Sequence, residues 1–180
     1  MRFIPTSIVD VIVIEPKVFE DERGFFLESF QKKRFSEAGI RMDFVQDNHS
    51  KSQQGVLRGL HYQIKQTQGK LVRVIAGEIF DVAVDIRKSS PTFGNWVGDY
   101  LSAENKKMLW VPPGFAHGFY VTSPTTEVIY KTTDYYAPQW ERTIVWNEPT
   151  ININWSLRST PILSSKDQAG KLLQDAELFD

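Results

Sequence analysis

From Lys70 to Trp146 turn-forming residues cut the chain into short runs of β-branched and aromatic residues, and this rhythm limits the possible folds more than any other feature. The runs fall at 71–76, 79–86, 96–101, 108–111, 119–122, 127–133 and 144–146. Between them stand Gly77-Glu78, Ser89-Ser90-Pro91, Pro112-Pro113-Gly114, Ser123-Pro124 and Ala137-Pro138. Branched and aromatic side chains suit a pleated, half-buried surface, whereas Gly, Pro and Ser set turns. Many short strands without intervening helices predict a β-sandwich or barrel. The 180 residues suffice for a real core, and no linker, repeat or low-complexity stretch divides them. The expectation is an all-β chain forming a single domain over 1–180.

The N-terminal part is less regular. A β-branched run at 9–14 ends at Glu15-Pro16. Asp21 to Gly24 supplies turn chemistry, and the strand expected after it puts Phe26, Glu28 and Phe30 on one face. Residues 31–38 read as a helix stopped by Gly39. The run 44–50 starts apolar and turns wholly polar, the pattern of a solvent loop. Near the C-terminus Ser164-Ser165-Lys166-Asp167 followed by residues 168–176 reads as a capped helix, with Ser164 as N-cap and Asp167 completing a short capping box. Gly170 weakens that helix by about 1 kcal/mol.

Composition excludes several classes. A formal charge of −1 and a pI near 6.3 give no basic surface for nucleic acid. There are no cysteines, so neither disulfides nor thiolate metal sites can form. Met1-Arg2-Phe3-Ile4-Pro5 lacks the apolar run of a signal peptide, and no stretch is apolar for long enough to span a membrane. A cytoplasmic protein is expected.

Chemistry concentrates in Gly55-Val56-Leu57-Arg58-Gly59-Leu60-His61-Tyr62-Gln63, a strand carrying arginine, histidine and glutamine. An imidazole titrates at about 6.5 and can move a proton near neutrality. Strand alternation puts His61 and Gln63 on one face with Leu57, and Arg58 on the other unless Gly59 lets the strand bulge. One reading has His61 and Arg58 serving a common ligand; the other is a core histidine beside an edge arginine. His117 follows Pro112-Pro113-Gly114-Phe115-Ala116, a turn that resembles the second histidine motif of the cupin family of jelly rolls. Metal-binding cupins use His-x-His and a downstream glutamate. Here position 63 is Gln, no glutamate follows before Glu78, and Lys70 would repel a cation. Without metal, histidine, lysine and tyrosine suit proton abstraction beside a carbonyl. Tyr130 then reads as an acid or as an aromatic on a half-buried strand. Lys70 reads as an oxyanion holder or as a surface lysine.

A longer set of motifs carries a more specific resemblance. Gln46-Asp47-Asn48, Leu57-Arg58-Gly59-Leu60-His61, Phe80-Asp81 through Ile86-Arg87, Ser89-Ser90-Pro91-Thr92-Phe93-Gly94, Pro113 through Phe119, Tyr130-Lys131 and Ser164-Ser165-Lys166-Asp167 resemble, in order, the dTDP-4-dehydrorhamnose 3,5-epimerase family. That resemblance implies a cupin-type jelly roll with a few short peripheral helices, a homodimer, and no metal or other cofactor. The implied reaction inverts C3 and C5 of a dTDP-linked 4-keto-6-deoxyhexose, on the way to dTDP-L-rhamnose. His61 would be the base, Tyr130 the acid, Lys70 the group facing the C4 oxygen, and Asp167 the partner of His61. Asp167 thus has two readings, dyad and helix cap, which the sequence leaves open. The resemblance further implies Arg23 and Arg58 on the diphosphate and Glu28, Gln46, Asp47 and Asn48 on thymidine. Phe26 would stack on the base, and His117, Glu141 and Lys166 match further substrate contacts. Residues near the N-terminus would reach the site from the dimer partner. Relatives that invert one carbon only, and metal-binding or sugar-binding cupins, are the competing readings.

Overall fold

Alternation within the strands decides the architecture. The computed structural model describes residues 1–180. Its first elements are β1 (Arg2–Pro5), β2 (Ile12–Glu15), β3 (Val18–Asp21), β4 (Gly24–Leu27), α1 (Lys32–Glu37) and β5 (Gln46–Gln53). Then come β6 (Leu57–Gln63), β7 (Lys70–Ala76), β8 (Glu78–Asp85), β9 (Trp96–Ser102), β10 (Met108–Val111), β11 (Phe115–Val121) and β12 (Thr125–Thr132). The chain finishes with β13 (Glu141–Thr143) and α2 (Ser165–Gln168). One sheet of six strands runs β1-β2-β10-β7-β12-β5, a second of five runs β13-β6-β11-β8-β9, and β3-β4 form a separate hairpin. This is the expected all-β jelly roll with short peripheral helices.

Val72, Val74, Leu109, Val111 and Val128 of the larger sheet meet Ile79, Ala83, Val97, Phe115 and Val121 of the smaller one in a buried central core. Each of these side chains larger than alanine, taken out of water, contributes about 1.5–3 kcal/mol before entropy is counted. The opposite face of the five-stranded sheet, with Leu57, Leu60, Phe80, Val82, Val84 and Tyr120, is covered by the chain after β13 through Ile144, Ile151 and Trp155. The outer face of the other sheet lies under Phe35 and Ile40, from α1 and the turn after it.

Several local expectations need correction. The strand after the first turn stops at Leu27, so Phe26, Glu28 and Phe30 do not share a strand face; Phe30 packs instead on Phe35 and Phe44. The run at 44–50 is a loop only at its first two residues. Gln46–Gln53 pairs along its whole length with β12, which satisfies its backbone. The strand bearing His117 starts at Phe115 rather than 119, and the pairing expected at 144–146 lies at Glu141–Thr143. The tail helix keeps the expected Ser164 cap but is only Ser165–Gln168 and does not run on to residue 176. Lys171 bonds instead to the backbone at Thr143 and Val145. A Cβ on Gly170 would lie 2.8 Å from Val145 Cα, so the chain turns where only glycine fits.

Candidate active site

The inward faces that build the apolar core turn polar at one end of the sandwich. On β7 the inner row Val74, Val72 continues to Lys70, and on β12 Val128 continues to Tyr130. On β5 the inner row is Gln46, Asn48, Ser50. These face Arg58, His61 and Gln63 of β6 and His117 and Phe119 of β11 across a cavity of about 350 Å³.

A bulge brings Arg58 and His61 to the same side. His117 pairs with His61 and Phe119 with Arg58, so two steps on β11 oppose three on β6. Gly59, at φ +137°, makes this possible: its backbone approaches Gly118 so closely that a Cβ would sit 2.6 Å from Gly118 Cα. The extra residue reverses the earlier part of the strand. Leu57, expected beside His61, points into the opposite core.

His61 Nε2 lies 2.6 Å from Oδ1 of Asp167, whose carboxylate is buried. Gly59 N donates to the same oxygen at 3.2 Å. Ser164 Oγ donates to Oδ2 at 2.6 Å, and Ser164 N to Oδ2 at 3.2 Å. Asp167 therefore makes both the dyad and the capping-box contacts. Burial pushes its carboxyl upward, but the His61, Ser164 and Gly59 donors outweigh burial and hold it far below the usual range. In His61 burial is the largest influence and lowers the imidazole, with Lys166 and Lys70 acting in the same direction; the Asp167 bond opposes them without winning. The ring is thus neutral near pH 7. A carboxylate accepting from Nε2–H leaves the Nδ1 lone pair free to take a proton.

Lys70 Nζ reaches the His61 carbonyl at 3.5 Å. Burial lowers its ammonium to about 8, against the pull of Asp81 and Glu141. Tyr130 is pushed up by burial, with Arg58 opposing, so its hydroxyl keeps its proton. The side chain of Arg58 hydrogen-bonds Ser52 Oγ at 3.1 and 3.2 Å. His117 Nε2 lies 2.8 Å from the fully buried Asp81. Lys166 and Glu141 pair at 2.7 Å on the cavity wall.

Nine of the residues singled out from sequence line this cavity: Gln46, Asn48, Arg58, His61, Lys70, His117, Tyr130, Glu141 and Lys166. Asp167 stands directly behind His61. The other four lie elsewhere in the chain. Asp47 points out of the opposite face of β5 and pairs with Lys131 at 2.8 Å. Glu28 pairs with Arg34 at 3.2 Å. Arg23 and Phe26 belong to the β3–β4 hairpin, where Arg23 bonds Asp21 and Phe26 is 70% exposed. His49, left without a role, pairs with Glu127 on the outer face of β5.

Sequence reasoning missed Ser50, Gln68 and Tyr136 of the wall. Ser50 shares the inner row of β5, and its buried hydroxyl has no partner. Gln46 Oε1, Gln63 Oε1 and Gln68 Nε2 hold the backbone of the segment 134–137 by bonds to Tyr136 N, Ala137 N and Asp134 O. Tyr136 from that segment lines the cavity and donates to Glu141 at 3.0 Å. Period-two reading of 46–52 would have found Ser50. Nothing local marks Tyr136. No three His, Cys, Asp or Glu side chains cluster in a way that would hold a metal ion. No helix is long and apolar enough to cross a membrane.

The sequence model of the dTDP-4-dehydrorhamnose 3,5-epimerase family matches residues 5–175. The dTDP-4-dehydrorhamnose 3,5-epimerase of Pseudomonas aeruginosa is 59% identical over 180 residues, 99% of each chain. The dTDP-6-deoxy-D-glucose-3,5-epimerase of Legionella pneumophila, solved with dTDP-4-keto-L-rhamnose, superposes with a TM-score of 0.96 at 58% identity, over 98% of this chain and 94% of that one. A 3'-monoepimerase from Streptomyces bikiniensis, solved with dTDP-quinovose, gives a TM-score of 0.89 at 31% identity, over 94% of this chain and 87% of that one.

Proposed function

The chain belongs to the dTDP-4-dehydrorhamnose 3,5-epimerase family, and from that premise we propose that it inverts C3 and C5 of dTDP-4-dehydro-6-deoxy-D-glucose by proton transfer at His61. The observation that carries this reading is an imidazole 2.6 Å from a buried carboxylate, with a lysine and a tyrosine sharing its cavity.

C3 and C5 both adjoin the C4 ketone. One base and one oxyanion site therefore serve both inversions in turn. Nδ1 of His61 takes the proton from carbon, and the electron pair moves into the C4 oxygen as an enolate. Asp167 stabilises the imidazolium that results, and Lys70 faces the developing negative charge. Tyr130, kept protonated by burial, returns a proton from the opposite face, and solvent exchange resets both groups. Arg58 is suited to the diphosphate, as a guanidinium fork matches such oxygens. Gln46 and Asn48 with His117, Glu141 and Lys166 complete the substrate contacts.

The reaction needs no metal or other cofactor, since the ammonium supplies the positive charge at the ketone. Treatment with a chelator should leave turnover unchanged. The active form is a homodimer in which the β3–β4 hairpin, with Arg23, Phe26 and Glu28 beside it, reaches the neighbouring cavity. Phe19, Phe25 and Phe26, exposed by 52, 55 and 70%, are apolar surface that such an arm would bury. The proposed place of action is the cytoplasm, where nucleotide sugars are made and consumed.

Incubation of dTDP-4-keto-6-deoxyglucose with the protein in D₂O tests this reading. Deuterium should enter at both C3 and C5, and His61→Asn should abolish both exchanges. Full activity in His61→Asn would remove the base. Exchange confined to one carbon would instead make this a monoepimerase.

A further inference from the structure

Carboxylate groups turn easily about their last torsion, which is broad and two-fold. The Asp167 carboxylate has no such freedom, because its two oxygens are anchored from two different elements. Oδ1 is tied to β6 through His61 Nε2 and the Gly59 N–H. Oδ2 is tied to the start of α2 through the hydroxyl and backbone N–H of Ser164. The hydroxyl is itself held in both directions, since its oxygen also accepts from Asp167 N at 3.2 Å. Asp167 is 2% exposed, so water cannot replace a lost donor. The four bonds fill the acceptor capacity of the group.

We propose that Ser164 is a positioning residue for the reaction: its hydroxyl locks the Asp167 carboxylate in the plane from which Oδ1 meets the imidazole of His61. A helix cap is thereby joined to the chemistry of a base on another element, and α2 need be no longer than the single turn observed. The inference rests on the reading of His61 as the base. Around His61 stand Asp167 and Lys166 from α2, Lys70 from β7, Glu141 from β13, Tyr130 from β12, the His117–Asp81 pair, and Arg58 on its own strand. Of these only Asp167 hydrogen-bonds the ring, so its orientation is the contact that Ser164 controls.

The test is an NMR titration of His61 in the full-length protein, with steady-state kinetics on dTDP-4-keto-6-deoxyglucose. Asp167→Asn sets the scale by removing the partner charge and lowering the His61 midpoint. Ser164→Ala should move the midpoint in the same direction by less. It should also lower kcat about tenfold, the loss of one hydrogen bond to a charged group, with KM changed by less than about twofold. Ser164→Thr should restore both. Ser164→Gly separates the two roles of the residue, because glycine starts a helix almost as well as serine yet has no hydroxyl. It should behave like Ser164→Ala, and wild-type behaviour would leave only a cap and overturn the proposal. So would effects of Ser164→Ala and Asp167→Asn that add in the double variant. Were His61→Asn active while Ser164→Ala still moved the midpoint, the reading of function would fail and the Ser164 linkage would stand.

Discussion

Replacing Lys70 by methionine separates what the cavity needs for chemistry from what the fold prefers. Burial lowers the ammonium from 10.5 to about 8, with Asp81 and Glu141 pulling the other way. At pH 7 about nine molecules in ten then carry the charge, at pH 8 half, and at pH 9 about one in ten. If the charge stabilises the enolate oxygen, kcat/KM should fall along an alkaline limb centred near 8. The acid limb belongs to His61, whose imidazole burial holds below 6.5. Activity should therefore be level near neutrality, with its acid decline confined to pH below that value. The sign for stability is opposite to that of an ordinary salt-bridged lysine. Between about 8 and 10.5 the unfolded chain holds a proton at Lys70 that the folded chain has released, so stability climbs as pH rises through that window. Below it the buried charge is a standing penalty. Lys70→Met should accordingly lower kcat by about 10²–10³, the usual loss for one oxyanion donor, while raising Tm at pH 7. Lys70→Arg should keep part of the activity and move the alkaline limb beyond pH 10, because guanidinium stays charged. Deuterium exchange rates across the pH range and thermal melts measure both. An alkaline limb that stays near 8 in Lys70→Arg, or full kcat in Lys70→Met, would refute the assignment.

Three further outcomes follow from the geometry. Tyr130→Phe should lower product formation by about 10²–10⁴ while deuterium exchange into recovered substrate continues, since His61 still removes the proton; NMR of substrate and product separates the two steps. Gly118→Ala should keep the β-sheet circular dichroism but lose most activity. Its Cβ would lie 2.8 Å from the Arg58 carbonyl and 3.1 Å from Gly59 Cα, forcing apart the strands that aim Arg58 and His61. Asp85→Asn should lower unfolding free energy at pH 7 by about 2–3 kcal/mol, since the buried carboxylate is held by a partly exposed Arg87 and its pKa is displaced from 3.8 to about 2. Burial raises the Asp85 carboxyl, but Arg87, Ser90 and Thr92 outweigh it and hold the group at about 2. The lowered folded value means this stabilisation is present above the unfolded value of about 3.9 and is lost as pH falls through about 2. Urea melts at pH 7 and pH 3 should show the difference between wild type and variant shrinking with acid.

The sequence by itself determined the β architecture, because short branched runs between Pro, Gly and Ser turns can pack as little else. It also singled out His61, an ionisable group on an otherwise apolar strand, whereas Lys70 and Tyr130 each kept a structural reading until the family resemblance set them beside it. Period-two alternation failed at Gln46–Gln53, where both faces are polar: one looks into the cavity and the other into water, so no apolar stripe announces a strand. It failed again at Gly59, because a bulge is a relation between two strands, and only the approach of Gly118 decides which side Arg58 takes. The tail helix was overestimated for a similar reason. Local propensity favoured extending it, whereas backbone pairing of Lys171 with the chain at Thr143 and Val145 ends it after one turn. Tertiary structure alone decided which charges meet. His61 and Asp167 lie 106 positions apart, and their bond exists because the C-terminal segment folds over the outer face of the sheet that carries the histidine.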